Sequence, residues 1–70
     1  MTAENWIADF AAALGRPAPT PEEMDAILRL ASVAAHASER RAAPIACWIA
    51  ASAGRPLDEA LAAADALAKL

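Results

Sequence analysis

Two Gly-Arg-Pro tripeptides, Gly15-Arg16-Pro17 and Gly54-Arg55-Pro56, punctuate a chain in which no stretch alternates polar and apolar residues. A glycine followed two residues later by proline is a helix-stop signal. The glycine takes the left-handed conformation that closes a helix C-terminus, and the proline cannot continue the ladder. With a third, polar break at Ser38-Glu39-Arg40-Arg41, these signals predict four helices and no strand.

The first helix is expected from Ala3 to about Leu14, capped by Thr2, with Trp6, Ile7, Phe10, Ala13 and Leu14 on one face. The connector Arg16-Pro17-Ala18-Pro19-Thr20 leads into the best-marked start in the chain. There Thr20 can act as N-cap, Pro21 as first helical residue and Glu23 as the partner that completes a capping box. The P-x-P spacing of Pro17, Pro19 and Pro21 is read as helix punctuation, not as a polyproline ligand. The second helix carries Met24, Ile27, Leu28, Ala31, Ala34 and Ala35 on its main apolar face, with Leu30 and Val33 toward a second side. Asp25 and Arg29 stand four apart in the order that favours an ion pair.

The third helix, Ala42 to Ala53, has no charged residue, and Pro44 lies in its first turn where it removes no bond. A helix apolar all round is normally covered on all sides. It is therefore expected either to be central or to present surface, with Cys47, Ala50 and Ala51 as candidates, to another chain. The fourth helix, Leu57 to about Lys69, is amphipathic, with Leu57, Ala60, Leu61, Ala64, Leu67 and Ala68 sharing a face. Asp58 and Glu59 near its start and Lys69 near its end suit the helix dipole. The expected architecture is all-α: one compact four-helix domain over residues 1–70, built from two helical hairpins.

Composition matters at this point because the apparent core is mostly alanine. Hydrophobic residues make up 59% of the chain, but 23 of them are Ala, leaving 18 larger side chains to do most of the burying. So small a core in so short a chain favours supplementing the fold by self-association. Two tryptophans, Trp6 and Trp48, are hard to bury completely in this volume, so at least one is expected at a contact surface.

The net charge of −3 opposes nucleic-acid binding, which needs a clustered basic surface. No apolar run reaches the length of a membrane span. Met1 to Asn5 carries Glu4 and no basic residue, unlike a signal peptide, and the single cysteine excludes an internal disulfide. A cytoplasmic location is the expectation.

Chemistry-bearing residues are few. His36 and Cys47 are each the only one of their kind, too few ligands for a zinc site and on different elements for a nucleophilic pair. No catalytic residue, metal site or cofactor is expected. The one polar cluster is His36, Glu39, Arg40 and Arg41, which helical spacing would bring together at the end of the second helix, with Arg29 on the same stripe. It reads first as a helix-end stabiliser, the basic groups meeting the last carbonyls and the negative end of the dipole. The second reading is a partner or anion contact.

The stretch His36-Ala37-Ser38-Glu39-Arg40-Arg41-Ala42-Ala43-Pro44-Ile45, followed by Trp48 and Gly54, resembles a small uncharacterised actinobacterial helical domain. Trp6 with Ala11-Ala12-Ala13-Leu14-Gly15 is similar to the start of that family. Its pattern often has Pro at the position of Arg41 and Leu at that of Ile45. Members stand alone or follow the nucleotidyltransferase domain of molybdenum-cofactor guanylyltransferases. The resemblance implies a bacterial cytosolic accessory domain linked to molybdenum-cofactor biosynthesis and transfers no catalytic residue. The expected function is thus a non-catalytic protein-interaction domain, self-associating or docking on another protein. The alternative is a small anion- or nucleotide-binding domain using Arg29, His36, Arg40 and Arg41.

Overall fold

The computed structural model covers residues 1–70 and contains four helices and no strand: α1 (Ala3–Ala13), α2 (Pro21–Ala37), α3 (Ala42–Ala53) and α4 (Leu57–Ala68). Their bounds follow from local chemistry. The Thr2 hydroxyl accepts from the Asn5 amide at 3.1 Å to cap α1. At the head of α2, the Glu23 amide donates to the Thr20 hydroxyl at 3.1 Å and the Thr20 amide donates to the Glu23 carboxylate at 2.8 Å. This reciprocal box satisfies two amides that would otherwise lack partners. Gly15 and Gly54 both adopt positive φ, 71° and 69°, just past the ends of α1 and α3.

The longest helix, α2, is the hub: α3 and α4 both pack against it. Leu30, at its centre, is 4% exposed and is the one buried residue of the chain. The central position expected as one option for α3 therefore belongs to α2. The pairing also differs from two separate hairpins. Neither α1 with α2 nor α3 with α4 forms a packed pair, and α1 packs extensively against no other helix. The apolar residues of α2 spread over two sides (Ile27 and Ala31, Leu30 and Val33), so it can take two neighbours, and the residues that α3 offers to it (Ala43, Ala46, Cys47, Ala50) are small and half-buried.

The resulting shape is elongated, 38 × 24 × 18 Å, with a radius of gyration of 12.7 Å. A chain of this length packed to typical density would measure about 11 Å. No helix is long and apolar enough to cross a membrane.

Candidate functional site

The third helix is amphipathic in side-chain size instead of polarity. Ala43, Ala46, Cys47 and Ala50 recur at three- and four-residue spacing and are half-buried. On the opposite side, at the same spacing, Ile45, Trp48 and Ile49 are exposed, Trp48 to 71%. Large apolar groups stand in water while methyl groups fill the interior. Cys47 lies against α2, its Sγ 3.9 Å from the Ile27 carbonyl oxygen, a long contact for a weak donor. Cys47 and Ala50 thus leave the expected contact surface, whereas Trp48 and Ala51 are exposed as that expectation requires. Ile45 and Ile49, exposed on the same side, were not among the residues expected there. With no charge anywhere on α3, nothing in the pattern said which side faces out.

The first helix has a comparable stripe. Trp6, Phe10 and Leu14, each four residues from the next, are all exposed, Trp6 to 55%. The Trp6 and Phe10 rings stack with centroids 5.1 Å apart and planes inclined by 16°. Ile7 and Ala11, on the adjoining side, are half-buried. A third apolar feature is an open groove of about 450 Å³ between α3 and α4, floored by Leu30 and flanked by Ala50, Ala60, Ala64 and Leu67. The Arg55–Glu59 ion pair, with bonds of 3.3 Å, closes one edge of it.

The expected polar cluster is dispersed. α2 ends at Ala37, so Glu39, Arg40 and Arg41 lie beyond it and the helical spacing that would gather them with His36 does not hold. The His36 imidazole turns back along its own helix, Nδ1 lying 2.7 Å from the Ser32 carbonyl oxygen and 3.2 Å from the Ser32 hydroxyl. A carbonyl only accepts, so Nδ1 carries the proton in this contact. That carbonyl lies a turn before the helix end, so the imidazole does not cap the last carbonyls. Arg41 meets Glu39 at 3.5 Å, with both side chains well exposed. Arg40 makes no ion pair. Arg29 pairs with Asp65 of α4 at 3.7 Å, in place of Asp25 one turn away. Around His36 is a shallow depression that also takes in Ser32, Asp65 and Lys69, so a carboxylate shares the surface an anion would need. No three His, Cys, Asp or Glu side chains converge at metal-binding distance.

The fold and surface together define a small all-helical domain whose exposed large apolar side chains are grouped mainly on α1 and α3, with Leu28 of α2 and Leu67 of α4 exposed singly. Over residues 1–70 the chain matches the family model of a domain of unknown function, DUF6457, and it belongs to that family. No curated protein and no solved structure matches it.

Proposed function

We propose that this chain is a non-catalytic interaction domain whose working surface is the apolar face of α3 together with the stripe of α1. One observation carries the reading. The largest side chains of α3 (Ile45, Trp48, Ile49) are exposed, while Ala43, Ala46, Cys47 and Ala50 lie on the half-buried side toward α2. Aromatic and aliphatic groups are the anchors of protein–protein contacts, and a cluster of them left in water favours a covered state. The single cysteine and the single histidine are engaged apart, Cys47 against Ile27 and His36 against Ser32.

The resemblance of the His36–Ile45 segment to a domain carried behind guanylyltransferases supports a partner in molybdenum-cofactor biosynthesis and a cytoplasmic setting. The test is calorimetric titration of the chain against a purified molybdenum-cofactor guanylyltransferase lacking such a domain. Saturable binding that Trp48→Asp abolishes is the expected result. Absence of binding removes the molybdenum-cofactor assignment, and a chain that binds neither this enzyme nor itself removes the interaction reading.

A further inference from the structure

We propose that the chain forms a symmetric homodimer in which the Trp6–Phe10–Leu14 stripe of α1 in each copy covers the Ile45–Trp48–Ile49 face of α3 in the other. This rests on the interaction-domain reading and gives it a specific occupant: a second copy.

Area is the first argument. The chain exposes 5470 Å². A folded monomer of 7.2 kDa is expected to expose about 4,100 Å². The excess, roughly 1,400 Å² per chain, exceeds the ~800 Å² per partner of a standard interface and falls in the range of obligate homodimers. The two stripes place six large apolar side chains in that surface: Trp6, Phe10 and the C-capping Leu14 on one, Ile45, Trp48 and Ile49 on the other.

The helices also match as packing partners. α1 has 11 residues and α3 has 12. At 1.5 Å per residue these are rods of about 16 and 18 Å. Trp6, Phe10 and Leu14 form one row at four-residue spacing, and Ile45 and Ile49 form another with Trp48 beside it. Rows of this kind interlock when helices cross.

Charge selects α1 against α3 over α1 against itself. The charged residues of α1, Glu4 and Asp9, are both acidic and neither is in an ion pair. Pairing α1 with α1 would oppose two helices whose own charges are all acidic. The α3 helix carries no charge and is flanked by Arg40, Arg41 and Arg55, of which Arg40 has no partner within the chain. Placing α1 on α3 sets the unpaired acids of α1 near Arg40, the one unpaired base beside α3, and the exchange closes on itself as a two-fold interface requires.

The experiment combines sedimentation equilibrium with thermal unfolding of the intact chain over a wide concentration range, for the native sequence and for Phe10→Asp and Trp48→Asp. The native chain should sediment as two copies, and its unfolding midpoint should rise by roughly 5 °C for each tenfold increase in concentration. Each aspartate variant should sediment as one copy, or fail to fold at concentrations where the native chain is folded. A native chain of single-copy mass with a concentration-independent midpoint overturns the dimer. So does a dimer that survives both substitutions. A single-copy chain that still binds the guanylyltransferase sinks only the dimer and leaves the interaction reading standing.

Discussion

Arg29 of α2 and Asp65 of α4 stand 3.7 Å apart and form the one ion pair that joins two helices, the other two being local to their own segments. Both side chains reach solvent, so water and salt screen the attraction. Asp65→Ala is expected to cost about 0.5 kcal/mol or less. A double-mutant cycle with Arg29→Ala, read by urea unfolding at low and high salt, should give a coupling that vanishes at high salt. A salt-independent coupling above about 1 kcal/mol would mean the pair is far better shielded than its exposure indicates.

Leu30 is where the fold is most easily broken. It floors the groove between α3 and α4 and is the only buried side chain. Leu30→Ala should cost on the order of 2–5 kcal/mol. A chain of this size has on the order of 4–10 kcal/mol in total. The expected outcome is loss of much of the helical circular dichroism at room temperature, or a melt broadened beyond two-state form. A sharp melt close to that of the native chain would contradict the central position of α2.

The Thr20–Glu23 box makes a prediction of a different kind. Thr20→Ala removes the acceptor for the Glu23 amide and should destabilise by about 1 kcal/mol. Glu23→Ala removes the reciprocal bond to the Thr20 amide, and the double variant should cost less than the sum because the two bonds orient one another. Chemical denaturation of the four proteins checks this. Full additivity would mean that the bonds act independently.

At Gly54 the requirement is conformational only. A Cβ there would meet nothing within 4 Å, but its φ of 69° is one that other residues seldom adopt. Gly54→Ala should therefore destabilise by roughly 1 kcal/mol, and Gly54→Asn by less, since asparagine tolerates the left-handed region. Thermal midpoints in that order support a backbone cause. An equal loss for both would point to the side chain.

What was legible in the sequence was whatever is decided within a few residues. Thr2 and Thr20 cap, Gly15 and Gly54 stop, and all four helices begin and end within a residue or two of where those signals put them. The uncharged α3 was also visible as the unusual helix. Which of its sides faces out was not, because a helix without a polar stripe has no preferred orientation until it meets its neighbour. Here the neighbour chose the small side chains. The partner of Arg29 was equally out of reach. Asp25 lies one turn away in sequence, whereas Asp65 becomes adjacent only through the docking of α4. The polar corner failed because α2 ends at Ala37, so a spacing argument was applied past the end of the helix.

The connector with Pro17 and Pro19, closed by Pro21 at the start of α2, deserves a kinetic reading. Proline fixes φ and stiffens the chain, so α1 is presented at a restricted set of angles instead of sweeping freely on a flexible tether. Docking such a preset arm forfeits less freedom than ordering a loose one. It also needs no preliminary release, since α1 is not held extensively by its own chain. In the proposed dimer, assembly of already folded copies should therefore follow second-order kinetics from the first encounter, its rate proportional to collisions between chains.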